Sequence, residues 1–295
     1  MKLSYRLGIA VVGFALMAAL SGQARAAGYL QTNLVTDGSD SAVTAAFTDP
    51  NLVNPWGISF IPAMSPFWVS DNNAGVSTLY DGAGTPFPPA PGPLVVDIPL
   101  PPDTGGATGT PTGQVANLTV LTGTPVFDIE TFGPALFIFA TEDGTIEAWN
   151  QTVPEPDGTP VPNNNLPDDA VVVVNNTAGT TGGGAAGAVY KGLALATSGT
   201  KGPLLYATNF RSGKIDVFDG IFTPTTVAGT FSDPKVQHGY APFGIQTING
   251  NLWVTYALQD AAKHDSVNKP AHGFVSVFDA DGNLLQHFAQ HGHLS

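Results

Sequence analysis

Short runs of apolar residues recur along the chain after residue 50, and clusters of glycine, proline, asparagine and aspartate separate them. Some runs alternate: in Ile215-Asp216-Val217 the two aliphatic side chains face one way and Asp216 the other, which predicts a strand with one wetter face. Other runs, such as Phe137-Ile138-Phe139-Ala140, are apolar throughout, which predicts strands buried on both faces. The pattern therefore predicts an all-β chain.

Three such runs form a unit that the chain repeats four times. The third run of each unit closes on Asp or Asn at positions 81, 150, 219 and 279, at intervals of 69, 69 and 60 residues. The first run of each unit contains a glycine: Gly57, Gly113, Gly192 and Gly244. A small antiparallel sheet repeated at this spacing is the unit of a β-propeller, and an inner-strand glycine lets neighbouring blades approach closely. We predict blades near 50–110, 111–170, 186–235 and 236–290.

Composition supports a folded β domain. Glycine and proline number 35 and 25 of 295 residues without a three-residue period, which excludes collagen and long coiled coils. The hydrophobic share of 43% opposes disorder, although only 11% of residues are charged against about 25% in an average domain. The chain has no cysteine, which excludes a thiol nucleophile and is compatible with an oxidising compartment.

The first 26 residues have the form of a secretory signal peptide. Lys2 and Arg6 precede an apolar stretch from Leu7 to Leu20, and Ala24-Arg25-Ala26 matches a cleavage site. The stretch is shorter than the ~20 residues that a spanning helix needs. We therefore expect a mature domain over 27–295, exported to the periplasm or outside the cell, with no transmembrane segment after cleavage. Its net charge of −16 disfavours nucleic acid and anionic lipid as partners.

Several local motifs predict turns and surface positions. Gly182 to Gly187 matches a dinucleotide fingerprint, but a strand-like run comes after it where that fingerprint needs a helix. Asp279-Ala280-Asp281-Gly282-Asn283 resembles the start of a calcium loop, yet position 290 is Gln, so we predict a turn. The six histidines lack zinc-binding spacings, and we expect His287, His291 and His293 in a frayed tail.

The sequence motifs that recur in the four units resemble those of a known family. Pro55-Trp56-Gly57, Phe67-Trp68-Val69-Ser70-Asp71 and Gly213-Lys214-Ile215-Asp216-Val217-Phe218-Asp219 resemble the NHL-repeat and gluconolactonase-like propellers, which usually have six blades. More narrowly, the chain resembles an exported, mostly uncharacterised bacterial family found with exosortase sorting systems. The resemblance covers nearly the whole mature chain and implies no established activity.

The resemblance also implies an incomplete ring, because relatives in that family continue for two more blades. We expect either a fragment of a longer product, or a chain that closes with fewer blades or through a partner chain. In a full-length relative, the alternating segment Tyr29 to Val35 is expected to pair with the last blade and close the circle.

The sequence supports two functions from different classes. The first is a binding or scaffold protein without a cofactor, whose carbohydrate or peptide ligand contacts Trp56, Lys191, Tyr240 and Phe243 at the channel mouth. The second, implied by the gluconolactonase-like resemblance, is a metal-assisted hydrolase or lyase with calcium or magnesium on Asp71, Glu142 and Asn209. The alternative to a metal site is structural: Asp and Asn residues also occur at the ends of strands because they cap turns.

Overall fold

The computed structural model describes residues 30–90, 92–101, 108–153, 166–268 and 273–290. The chain divides into two units, residues 1–33 and 34–295. Only residues 30–33 of the first unit are described, and there Gln31 Nε2 donates a hydrogen bond to Asn33 Oδ1. The proposed signal peptide lies outside the described residues. No helix in the described residues is long and apolar enough to cross a membrane.

The second unit begins with a two-stranded parallel ladder and continues as four antiparallel sheets, each of four strands in sequence order. The ladder comprises β1 (Val35–Thr36) and β2 (Phe47–Thr48). Blade 1 comprises β3 (Pro55–Ser59), β4 (Phe67–Asp71), β5 (Val76–Tyr80) and β6 (Val95–Asp97). Blade 2 comprises β7 (Pro111–Ala116), β8 (Phe137–Thr141), β9 (Thr145–Trp149) and β10 (Val171–Asn175).

Blade 3 comprises β11 (Tyr190–Ser198), β12 (Gly202–Asn209), β13 (Lys214–Phe218) and β14 (Pro224–Thr225). Blade 4 comprises β15 (Tyr240–Ile248), β16 (Asn251–Leu258), β17 (Gly273–Phe278) and β18 (Leu284–Gln290). Two short 3-10 helices, Leu118–Leu121 and Glu130–Phe132, lie in the connection between β7 and β8. The all-β propeller prediction is confirmed.

Each blade is held to the next by apolar side chains of its middle strands. Every residue of β8 is buried, as its continuous apolar run predicts. The Trp68 ring of blade 1 stacks on Phe137 of blade 2 at 4.1 Å between centroids and lies 4.7 Å from Trp149. Such aromatic pairs contribute about 0.5–1.5 kcal/mol beyond the area that they bury. The core therefore lies between the sheets.

The inner-strand glycines are the places where neighbouring blades come closest. A Cβ atom at Gly57 would lie 2.6 Å from Thr112 O, and one at Gly192 would lie 2.8 Å from Phe243 O. Both distances are shorter than real Cβ contacts, so the close approach predicted from the sequence requires glycine there. This spacing brings the four inner strands β3, β7, β11 and β15 around one groove.

Two local expectations have clear outcomes. The predicted turn after β17 is confirmed, because Asp279 Oδ1 accepts the Asn283 N–H at 2.9 Å. The glycine run ahead of blade 3 leads into strand β11 and not into a helix, as predicted. The pairing that we expect of residues 29–35 in a full-length relative stays a prediction, and in this chain Val35 belongs to the ladder strand β1.

The expected frayed tail is wrong for His287. This residue lies within β18, and its Nδ1 is 2.7 Å from the buried Asp233 Oδ2. The Asp233 contact and the nearby Phe274 ring hold the imidazole against blade 4, so β18 continues as an ordered outer strand. His291 and His293 lie outside the described residues.

Candidate functional site

The residue before each inner-strand glycine lies at the same end of the central groove. These four residues are Trp56, Thr112, Lys191 and Phe243. The groove has a volume of about 1020 Å³, and side chains of all four inner strands line it. Because the repeat places the four positions at equivalent points of equivalent strands, residues far apart in sequence meet at one mouth.

Lys191 occupies the centre of this mouth. It is only 4% exposed, and its Nζ forms an ion pair with Glu142 Oε1, which lies just after β8 of blade 2. A second carboxylate oxygen, Asp265 Oδ1, lies 3.4 Å from the same ammonium group. A buried ammonium group needs such partners, because desolvating an unpaired charge is costly. The two carboxylates therefore fix the position of the cation.

Three aromatic rings complete the surroundings of the Lys191 ammonium group. Its Nζ lies 5.4 Å from the ring centroid of Trp56, 5.8 Å from that of Phe243 and 5.9 Å from that of Phe210. The Trp56 and Phe243 rings are 5.6 Å apart, so blades 1 and 4 touch at the axis. Cations over aromatic faces at these distances are stabilised by about 0.5–2 kcal/mol.

Two asparagine side chains hold Glu142 in position through a chain of hydrogen bonds. Asn72 Nδ2 donates to Glu142 Oε2 at 3.1 Å and to the Pro111 carbonyl at 3.2 Å. Asn54 Nδ2 in turn donates to Asn72 Oδ1 at 3.1 Å. Both carboxylate oxygens of Glu142 therefore have partners. This network joins blades 1, 2 and 3 beneath the groove mouth.

His264 and Asp265 extend the polar side of the mouth. His264 Nδ1 lies 3.1 Å from Asp265 Oδ1, and one ligand atom each of Glu142, His264 and Asp265 lie within 4.8 Å of one another. Partial burial alone would raise the pKa of Asp265, but hydrogen bonds and charges from His264 and Lys191 outweigh it and lower the pKa. Asp265 is therefore a stable anion beside Lys191.

Asp71 and Asn209 take part in other hydrogen-bond groups. Thr78 Oγ1 donates to Asp71 Oδ2 at 2.7 Å inside blade 1, and burial raises the pKa of Asp71 to about 7. Asn209 Nδ2 donates to Asp216 Oδ2 at 2.9 Å inside blade 3. Of the three residues considered as metal ligands from the sequence, only Glu142 belongs to the group at the groove mouth.

The structure brings together three of the four candidate ligand-binding residues, namely Trp56, Lys191 and Phe243. Tyr240 packs edge-on against Phe274 at 4.8 Å within blade 4 and does not line the groove. Phe210, His264 and Asp265 were absent from the sequence-based site. Phe210 comes directly after the polar end of the second run, which is the one sequence signal that could have found it.

The fold and this geometry define a β-propeller with a polar and aromatic groove mouth. No protein-family model matches the chain. It is 28% identical over 256 residues to the uncharacterised protein R648 of Acanthamoeba polyphaga mimivirus, a match covering 85% of this chain and 55% of that protein. It is 26% identical over 274 residues to the uncharacterised protein L690 of the same virus, covering 87% and 61% respectively.

The chain thus spans less than two thirds of the length of these curated relatives. Among solved structures, the Dos1 propeller matches 82% of this chain and 51% of its own at 12% identity and a TM-score of 0.43. A gluconolactonase from Xanthomonas campestris matches 81% and 77% at 17% identity and a TM-score of 0.33. Both likenesses are of fold alone.

Proposed function

We propose that this protein binds a ligand at the groove mouth, with the rings of Trp56 and Phe243 as the contact surface. The observation that carries the proposal is the meeting of these two rings with Lys191 at the end of an open groove. Apolar grooves with a few converging polar groups are the usual form of ligand sites. In this proposal the ligand lies along the faces of the two rings, and the Lys191 ammonium group holds the rings in place through its cation–π contacts.

A carbohydrate suits this groove better than a peptide. Hydroxyl and amide side chains that are at least partly exposed line its walls: Ser59, Thr122, Gln246 and Thr247. Such groups exchange hydrogen bonds with sugar hydroxyls, while an aromatic ring packs against the apolar face of a pyranose. We propose a short neutral oligosaccharide as the ligand class, with an extended peptide as the alternative.

The place of action that we propose is outside the cytoplasm. Residues 1–26 have the charged, apolar and small-residue segments of a cleavable leader. The motif resemblance to exported, exosortase-associated bacterial propellers supports the same assignment. An export assay with the full chain fused to a reporter, with Lys2 and Arg6 changed to Glu as the comparison, tests it.

Binding is tested by calorimetric titration of a panel of neutral oligosaccharides and extended peptides into the purified protein. We expect an oligosaccharide that binds, and at least a tenfold weaker affinity in Trp56→Ala and Phe243→Ala. Leu285→Ala, at an exposed position of β18, is the control and should bind like the parent. Equal affinity in all variants would place the ligand elsewhere, and binding by peptides alone would favour the alternative class.

A metal-assisted hydrolase is the second candidate, and the Glu142, His264 and Asp265 group favours it over a purely structural mouth. Two carboxylates and an imidazole are a donor set that zinc accepts, whereas calcium and magnesium prefer oxygen ligands. The Lys191 ammonium group already neutralises these carboxylates, so a divalent cation has to displace it. The residues therefore fit a metal only if Lys191 moves away.

Thermal melting separates the two candidates. The binding proposal expects the same melting temperature with a chelator and with excess calcium, magnesium or zinc. A resident metal that binds only the folded state would raise the melting temperature with concentration, and Glu142→Gln would abolish that rise. Such a rise would favour the hydrolase.

A further inference from the structure

Blades within the chain dock through one repeated contact at the inner strand. The backbone of each later blade, around its own glycine, packs against the glycine of the preceding blade. A Cβ at Gly113 would lie 2.6 Å from Gly192 C, as it would at Gly57 from Thr112 O. A threonine opposite the glycine reinforces the contact in blade 3, where Thr208 Oγ1 donates to the Phe243 carbonyl at 2.5 Å.

Blade 4 has the glycine side of this contact, but no neighbouring blade packs against it among the described residues. A Cβ at Gly244 would meet only Thr255 Oγ1 of its own blade, at 3.0 Å, among the described residues. Thr255 lies opposite Gly244, as Thr208 lies opposite Gly192, but Thr255 is exposed whereas Thr208 is fully buried. Its hydroxyl bonds to the Gly244 N–H at 2.9 Å and not to a neighbouring blade.

Blade 1 has the other side of this contact, which is the inner strand that packs against the glycine of a preceding blade. The residue after the inner glycine is at most 9% exposed in the three later blades: Gln114, Leu193 and Ile245. In blade 1 the equivalent residue, Ile58, is 64% exposed. The preceding blade covers the later three, whereas no four-stranded sheet precedes blade 1 in the described part of the chain. The Ile58 side chain is therefore exposed at a position that the preceding blade covers in the other three blades.

We propose that blade 4 of one molecule binds blade 1 of a second copy of this chain, by the same contact that joins successive blades. Trp56-Gly57-Ile58 has the form of Lys191-Gly192-Leu193 and Phe243-Gly244-Ile245, the two segments seen docked on a preceding glycine. In the docked pair, Ile58 becomes buried against blade 4, and Thr255 Oγ1 donates to the partner copy's carbonyl at the position before the glycine.

The contact joins two different surfaces, so copies associate head to tail and the assembly either closes into a ring or continues as a spiral. The residues at its centre, Gly57, Ile58, Gly244 and Thr255, carry no charge. The net charge of −13 on each full chain opposes association from a distance and is screened by salt. Association therefore strengthens as salt is added.

Light scattering on the purified full chain tests the proposal with two variants, one on each surface. Ile58→Asp places a carboxylate in the docking half of blade 1, and Thr255→Arg places a bulky side chain beside Gly244. Both positions are exposed, so both variants should fold like the parent and keep its circular dichroism spectrum. We expect the parent to form dimers or larger assemblies and each variant alone to be a monomer.

Mixing the two variants gives the decisive result. Ile58→Asp keeps a free blade 4 and Thr255→Arg keeps a free blade 1, so an equal mixture should form a heterodimer and stop there. Ile221→Asp, at a turn residue that is 67% exposed, is the matched control and should assemble like the parent. A parent that stays monomeric up to its solubility limit, or a mixture that stays monomeric, would overturn the proposal. The former would point to blades of a longer polypeptide as the occupant.

Discussion

At the scale of single residues, the position before the inner glycine predicted the candidate site. Trp56, Lys191 and Phe243 could be chosen from the sequence because the repeat fixes where each inner strand starts. Asp265 could not, since it lies in an irregular loop and reaches Lys191, 74 residues away, only through the fold. Tyr240 belongs to the same strand as Phe243, but its ring packs within blade 4 against Phe274.

Asp71 gives a prediction about pH. Burial raises its pKa from 3.8 to about 7, and Oδ1 has no hydrogen-bond partner in the described residues. Between these pH values the folded state holds a proton that the unfolded state has released, so the free energy of unfolding falls as pH rises. Asp71→Asn removes this fall and keeps an acceptor for Thr78. Relative to the parent, the variant should gain on the order of 4 kcal/mol between pH 4 and pH 8.

Urea unfolding at the two pH values measures this gain, and Asp81→Asn is the matched control. Backbone N–H groups of Thr85 and Ala83 lower the pKa of Asp81 from 3.8, so its contribution is lost only below that pH, and the control should keep the pH dependence of the parent between pH 4 and pH 8. Equal pH dependence in the parent and Asp71→Asn would show that Asp71 is ionised in the folded protein.

At the scale of elements, the third strand of each blade carries a polar residue at its middle position: Thr78, Glu147, Asp216 and Ser276. The wetter strand face predicted from this alternation is wrong for three of the four, which are at most 1% exposed. Each one is hydrogen-bonded within its blade or to a neighbouring segment, as in Ser276 Oγ to Asp233 Oδ2 at 2.7 Å. Alternation alone cannot distinguish water from a buried polar partner.

The outer strand of each blade was also missing from the predicted three-strand unit. The strands β6 and β14 have only three and two residues, too few to show a period. The outer strands β10 and β18 have five and seven residues, but their sequences do not match each other. The inner three strands could be predicted because their pattern recurs from blade to blade. Loop residues and short edges lack such support.

The inner glycines give the prediction at this scale. Gly113→Ala places a methyl group 2.6 Å from the backbone carbonyl carbon of Gly192, and backbone yields less readily than a side chain. We expect a loss of roughly 1–3 kcal/mol, the usual cost of overpacking. Gly82→Ala, where nothing lies within 4 Å of the added methyl group, should change stability by less than about 0.5 kcal/mol. Urea unfolding compares them, and equal stability would contradict the close blade contact.

At the scale of the whole molecule, the regular intervals of the repeat predicted four blades, and the described residues form four four-stranded sheets besides the two-stranded ladder. The spacing could not predict which blade faces remain open, because exposure depends on the neighbouring blade in space and not on the pattern within a unit. Ile58 and Leu193 have equivalent positions in the repeat, yet one is 64% and the other 4% exposed. Whether a blade face is exposed therefore depends on which blades lie beside it.

The central feature of the molecule is the meeting of four inner strands at one mouth, where Lys191 of blade 3 pairs with Glu142 of blade 2. A double-mutant cycle with Lys191→Met and Glu142→Gln, measured by urea unfolding, tests it most directly. Residues in one buried ion pair should couple by about 1–3 kcal/mol, with the double variant more stable than the two single losses predict. Additive losses, with no coupling between the two positions, would contradict it.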